Sequence, residues 1–288
     1  MADLLISPFA DFEFMRRALV GIVAIALGGG PVGVFLMLRR MSLTGDAMAH
    51  AILPGAAVGY LIAGLSLPAM TIGGLIAGVI VAVAAGLVSR LTSLKEDASL
   101  AAFYLLSLAL GVTIVSLRGS NVDLLHVLFG TVLALDDQTL LLLATISTIT
   151  VVALALLYRP LVLECVDPTF LRSVSRSGTP THLVFLGLVV LNLVGGFHAL
   201  GTLLAVGMMM LPAAASRFWT NDITVMMIVS IAIGIASGIG GLLLSFHAEL
   251  PAGPAIILTA GGIYGLSLLV GREGGLLWLA WPGKHLEA

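Results

Sequence analysis

Two pairs of side chains in this sequence have the types and the spacing to hold a cation. The first is Asp46 and His50, in Thr44-Gly45-Asp46-Ala47-Met48-Ala49-His50. On a helix, residues four apart share one face, one turn from each other. A carboxylate oxygen beside an imidazole nitrogen suits a borderline divalent metal such as zinc or manganese. The same spacing also suits a carboxylate–histidine pair that only satisfies itself, or a helix start capped by Asp46. The second pair is His247 and Glu249, in Ser245-Phe246-His247-Ala248-Glu249-Leu250-Pro251. Pro251 biases Leu250 away from the helical region. In an extended segment, residues two apart point the same way, so His247 and Glu249 then converge at the end of an apolar run. The alternative is a solvated loop pair.

Other polar groups carry weaker expectations. His198 follows Gly195-Gly196-Phe197 inside a long apolar stretch and is expected in a loop rather than lining a pore. Met208-Met209-Met210 offers thioether sulfur, a soft ligand. Consecutive positions point around the whole helix, so packing is the expected role. His126 and His182 are expected at a membrane interface. The sequence holds no Walker A pattern and no HExxH. The chain is therefore expected to hydrolyse no ATP itself, to be no membrane-embedded zinc protease, and to be no enzyme.

These residues must be positioned by elements that live in lipid. Hydrophobic residues make up 59% of the 288 positions and charged residues only 10%, with mean hydropathy +1.16. A soluble domain carries roughly 25% charged residues. At about 20 residues per span, this length allows roughly eight to ten crossings with short connections. No second soluble domain fits, so residues 1–288 read as one transmembrane domain. Energy for any transport must come from an ion gradient or another subunit. A formal net charge of −2 makes nucleic acid an unexpected partner. The one cysteine, Cys165, forms no intrachain disulfide. Met1 to Phe14 carries Asp3, Asp11 and Glu13 and no basic residue, unlike a cleaved signal peptide, and the first apolar segment is expected to be retained.

Charged punctuation divides the apolar runs. They read about 17–38, 47–65, 68–90, 98–117, 139–158, 182–216, 223–244 and 254–270. The short stretch 124–135 suits a re-entrant or interfacial helix. The 182–216 stretch is too long for one crossing, and Asn192 and Gly195-Gly196 are the expected interruption. Arg159 to Pro180 reads as the longest polar connection. Connections bearing Arg39/Arg40, Arg90/Lys95, Arg159/Arg172/Arg176, Arg217 and Arg272/Lys284 are expected to face the cytoplasm. If 182–216 crosses twice, about nine spans result, with the N-terminus outside and the C-terminus inside. Arg118 breaks the pattern, and Arg16 and Arg17 sit near the outer end of the first span. Gly234/Gly238 and Gly261/Gly265 repeat at four-residue spacing, a small-residue face that lets helices approach closely. Tight bundle packing is the expected use, a subunit or gating interface the sharper one.

With these segments in view, the chain resembles the ABC-3 permeases, the membrane subunits of bacterial zinc, manganese and iron uptake systems. The resemblance rests on Phe14-Met15-Arg16-Arg17-Ala18-Leu19, then on the run from Leu38-Arg39-Arg40-Met41 through Asp46 and His50 to Pro54-Gly55. It continues at Asp123 to Gly130, at Gly201 to Ala215, and at His247 to Leu258. It implies an all-α, polytopic transmembrane helical bundle of eight or nine spans, with the type II-like architecture of an importer permease. It implies a homodimer, two copies of a cytoplasmic ATPase that binds ATP, a periplasmic metal-binding protein, and residence in the bacterial inner membrane. It implies metal contact by Asp46 and His50, with His247 and Glu249 where the family has a second histidine and acid. It places the ATPase contact within about 159–180, at Asp167, Pro168, Arg172 and Arg176. No permanently bound cofactor is expected. The metal is cargo, with zinc the first expectation, favoured by the extra imidazole of His198, then manganese or iron. Alternating access driven by the partner ATPase is the expected mechanism. The rival is a proton-coupled secondary transporter with Asp46 as proton carrier.

Overall fold

In a computed structural model the chain is described at residues 2–64, 66–92, 96–117, 132–167 and 178–277. A short helix α1 (Ala2–Asp11) leads into α2 (Glu13–Leu38), α3 (Ser42–Ala51) and α4 (Leu53–Ala63). Then follow α5 (Leu67–Leu91), α6 (Glu96–Leu117), a single 3-10 turn at Val132–Ala134, and α7 (Asp137–Val166). The chain continues as α8 (Gly178–Ser216), α9 (Ile223–Ala248) and α10 (Ala252–Val270). Among the described residues, eight helices or helix pairs are long and apolar enough to cross a membrane, and Ala98–Ile114 is a shorter apolar helix. Of the expected re-entrant stretch 124–135, only residues from 132 onward are described.

Helix α2 is the axis of the bundle. Its glycines replace side chains exactly where neighbours approach: a β-carbon at Gly33 would collide with the Met209 carbonyl of α8, and one at Gly28 would meet Asn192 Oδ1 at 2.5 Å. Helix α9 runs antiparallel to α2 with a four-residue step on both partners. Gly238 faces Ile22, Gly234 faces Ala26, and Ser230 faces Gly30, the ridge spacing that interlocks helices. The Gly234/Gly238 repeat is thus packing inside the protomer. Gly261 and Gly265 of α10 have nothing within 4 Å of an added β-carbon among the described residues.

Helix α8 is two antiparallel spans. Phe185 packs edge-on against Phe35 and Ala213 clusters with Val34, so both ends of α8 lie beside the C-terminal half of α2. Between them, Ala199, Leu200 and Leu204 cluster with Met15 and Ala18, at the other end. The reversal has its non-helical residue at Gly201 (φ 80, ψ 166), a conformation that glycine alone adopts readily. The expected break at Asn192 and Gly195-Gly196 is instead helix. Asn192 Nδ2 donates to Thr150 Oγ1 of α7 at 2.8 Å and to the Leu188 carbonyl at 2.8 Å, a polar side chain used as interhelical glue.

The two arginines near the start of α2 have local partners. Arg17 pairs with Glu13 at 2.8 Å and Asp137 at 3.2 Å, and Arg16 donates to the Ala10 carbonyl at 2.8 Å. Asp136 caps α7 through Thr139 N–H at 3.0 Å. Hydrogen bonds from Thr139 hold the Asp136 carboxyl below its usual range.

These contacts give a direct test. Gly33→Ala is expected to lower the detergent melting temperature by an amount equivalent to about 1–3 kcal/mol, the range for overpacking. Gly261→Ala, into open space, is expected to leave it unchanged or raise it. A fluorescence-detected melt of both variants checks the pair.

Candidate functional site

Asp46 and His50 lie on α3, whose start is set by a reversal after α2. Arg40 N–H bonds the Met37 carbonyl at 3.0 Å and Met41 N–H the Leu36 carbonyl at 2.9 Å. That is the paired pattern of a Schellman helix end, with Arg40 in the left-handed region (φ 58) where glycine is usual. The chain turns back into the bundle, and Met209 Cε lies 2.9 Å from where a β-carbon on Gly45 would stand. The buried side of α3 (Thr44, Gly45, Met48, Ala49) thereby packs inward, and the opposite side presents Asp46.

The run expected as one span, 47–65, is broken. Helix α3 ends at Ala51, and α4 begins at Leu53 with Pro54 in its first turn. Pro54 has no N–H to give the His50 carbonyl, and the Ala51 carbonyl is taken by Ser107 Oγ of α6 at 2.9 Å. Together Ser42–Ala63 make one 22-residue crossing, so His50 stands near its middle.

His50 Nε2 and Asp46 Oδ1 are 3.9 Å apart, with the imidazole one-third exposed and the carboxylate 70% exposed. The imidazole ring lies 6.3 Å from the Tyr104 ring. At 3.9 Å the two groups are too far apart for a hydrogen bond and close enough to share an ion between them. The exposed side of the α3–α4 unit also carries Leu43 and Ile62, at 75% and 80%. A carboxylate open beside such residues, within a span, points at a cavity or a partner rather than at lipid. Among the described residues no three His, Cys, Asp or Glu side chains gather closely enough to cage a metal.

His247 and Glu249 are arranged differently from the extended segment expected. Helix α9 continues through Ala248, and Glu249 is its left-handed cap (φ 55, ψ 34). Leu250 N–H bonds the Ser245 carbonyl at 3.2 Å, and Ser245 Oγ donates to the Leu250 carbonyl at 2.7 Å. The helix end is closed before Pro251 can straighten the chain, so the two side chains do not alternate as on a strand. Both are exposed. Phe246 packs on Phe12 at the start of α2, with ring centroids 5.4 Å apart. Met209, by contrast, links Gly45 to Gly33. Some twenty residues of α2 separate these levels, roughly 30 Å at 1.5 Å per residue. The two candidate pairs therefore form separate sites.

The other candidates fall out as follows. Met208 and Met209 are fully buried packing residues. The side chain of His198, and all of His126, Pro168, Arg172 and Arg176, lie outside the described residues. Asp167 caps the end of α7, its N–H on the Leu163 carbonyl at 2.9 Å. The polar connection expected from Arg159 is helix as far as Val166, and helix resumes at Gly178. His182, expected at an interface, is buried at 3% exposure against Arg39 and Glu164. Glu164 and Arg39 were missed as a pair because 125 positions separate them in sequence; both lay in segments read as loops.

A family model described as the ABC 3 transport family matches residues 11–271. The manganese transport system membrane protein MntC of Halalkalibacterium halodurans is 32% identical over 278 residues, 96% of this chain and 94% of that protein. A Haemophilus influenzae protein named "Probable iron transport system membrane protein" is 31% identical over 268 residues, 93% of this chain and 97% of that one. Among solved structures, PsaBC from Streptococcus pneumoniae in complex with Fab superposes with TM-score 0.84 at 27% identity, covering 97% of this chain and all of that one.

The helix-end geometry makes Glu249 testable apart from any ion. Glu249→Gly removes a left-handed strain of roughly 1 kcal/mol and is expected to melt no lower than wild type. A melt lowered by that amount or more assigns the carboxylate a stabilising contact instead.

Proposed function

The chain belongs to the ABC 3 transport family, and from that premise we propose that it is the membrane-spanning permease of an importer that carries a divalent transition metal into the cytoplasm. The observation that carries this reading is the Asp46–His50 pair, near mid-span beside a break in the helix and open on its outer side. Broken helices near the membrane midplane are where transported ions are commonly held. One protomer offers two ligands there. A second copy meeting it on the exposed side of α3–α4 doubles the set to two carboxylates and two imidazoles, enough to replace an ion's water while leaving it able to move on.

A homodimer is thus the functional unit of this reading, in the bacterial inner membrane. A binding protein delivers the ion outside, and an ATPase dimer docks inside at the segment joining α7 to α8, including Asp167, Pro168, Arg172 and Arg176. The names of the two relatives favour manganese or iron as cargo ahead of zinc, reversing the order expected from the extra histidine. The carboxylates of Asp46 and its mate suit manganese, and the two imidazoles suit iron. His247 and Glu249, at the Phe12 end of α2 and apart from Asp46 and His50, serve as a first contact for the arriving ion at the outer end. Alternating access then needs only that the central pair face outward in one state and inward in the other.

Uptake of radioactive manganese by cells expressing the full system, with zinc and iron as competitors, tests this. His50→Ala is expected to reduce uptake to the level of cells without the transporter, while the protein still reaches the membrane with its ATPase. His247→Ala is expected to raise the manganese concentration for half-maximal uptake and leave the maximal rate near wild type. Unchanged uptake in His50→Ala makes Asp46 and His50 a structural pair and ends this reading of the pathway.

A further inference from the structure

Arg39, Glu164 and His182 meet in a buried cluster for which the reading above has no use. Arg39 Nη2 lies 3.0 Å from Glu164 Oε1, and both side chains are 8% exposed. The same Nη2 lies 2.5 Å from His182 Nδ1, and His182 Nδ1 lies 3.9 Å from Glu164 Oε1. The guanidinium carbon sits 5.0 Å over the Phe185 ring. Arginine has no acceptor, so in this contact Arg39 donates and His182 Nδ1 accepts. Arg39 Nη1 and Glu164 Oε2 are buried with no hydrogen-bond partner among the described residues.

Stability is a poor explanation for such a cluster. A buried ion pair roughly breaks even against apolar residues of the same shape, and here two of its polar atoms have no partner among the described residues to offset their burial. Its position is informative. Arg39 caps α2 at the turn that launches α3, seven residues before Asp46. Glu164 is near the end of α7, and His182 is near the start of α8. One cluster therefore joins the turn that carries the candidate ion pair to both helices bordering residues 168–177. Pulling the three apart strands a charge in a low-dielectric interior, so they move as one body or not at all.

We infer that Arg39, Glu164 and His182 are positioning residues that couple the end of α7 and the start of α8 to α3, so that movement imposed on those helix ends is delivered to Asp46 and His50. This rests on the reading of the chain as an ATP-driven permease. The clasp needs no contact with the ion. It acts by fixing the α2–α3 turn to the helix ends on which the ATPase would push.

The test uses the whole transporter, permease with its ATPase and binding protein, in proteoliposomes. Manganese moved per ATP hydrolysed is measured beside basal ATP hydrolysis and the melting temperature. Wild type that moves no manganese with ATP refutes the function itself, whatever the variants do. Given wild-type transport, Glu164→Gln and Arg39→Met are expected to cut manganese moved per ATP by about tenfold, within the ~5–150-fold range of coupling between sites. Basal hydrolysis is expected to be unchanged. The double variant Arg39→Met with Glu164→Met, which strands no charge, is expected to melt like wild type and remain uncoupled. The charge swap Arg39→Glu with Glu164→Arg is expected to recover part of the coupling. A double Met variant that couples normally overturns the inference, as does one that fails to assemble, since the cluster then serves stability. Single variants too unstable to assay leave the decision to the double Met variant.

Discussion

In lipid, a backbone carbonyl that loses its helical partner has no water to turn to. Everything distinctive in this bundle follows from where that rule is strained and how the strain is met. At Pro54 the α3–α4 crossing has no N–H for the His50 carbonyl, and the Ser107 hydroxyl reaches across from α6 to the next carbonyl, that of Ala51. At Gly201 a positive φ lets α8 reverse without leaving the bundle. At Arg40 and Glu249 non-glycine residues occupy left-handed caps, a modest cost accepted where a helix must stop at a fixed place. The first of these adjustments stands next to His50, and the Arg40 turn sets where Asp46 begins its turn of helix.

Close approach is the second constraint. Without a hydrophobic drive between helices in lipid, association depends on packing, and α2 meets this with glycines at positions 28, 29, 30 and 33. The consequence is a rigid axis whose two ends hold different chemistry. One end presents the Phe12–Phe246 contact with His247 and Glu249 nearby. The other holds the Arg39–Glu164–His182 cluster, with α3 folded back alongside. A bundle built this way transmits displacement along its length better than it absorbs it.

Much of this was legible in the sequence. Most of the apolar runs marked the spans to within about five residues, because charge is expelled from lipid and so punctuates the helices, whereas α7 runs eight residues past its expected end, to Val166. The four-residue spacing of Asp46 and His50 placed them on one helix face, as found. What the sequence hid was tertiary. Asn192 and Gly195-Gly196 read as breakers, yet both fit helix, since Asn192 has Thr150 as its partner and Gly195 lies against Ile146. Leu250 before Pro251 suggested extension, but the Ser245 hydroxyl and carbonyl close the helix first. Glu164 read as part of a solvated loop, whereas α7 runs past it and buries it. The misses at Asn192, Gly195 and Glu164 are contacts with residues distant in sequence, whereas the one at Leu250 is a local helix-end closure.

In the proposed pathway, two copies of the Asp46–His50 pair hold one ion between them. Metal analysis of the purified, nucleotide-free transporter equilibrated with manganese, combined with the electron paramagnetic resonance spectrum of the bound ion, tests it most directly. One bound ion per pair of permease chains is expected, with nitrogen hyperfine coupling that disappears when His50 is replaced. One ion per single chain, or a bound ion whose spectrum is indifferent to His50, would contradict it.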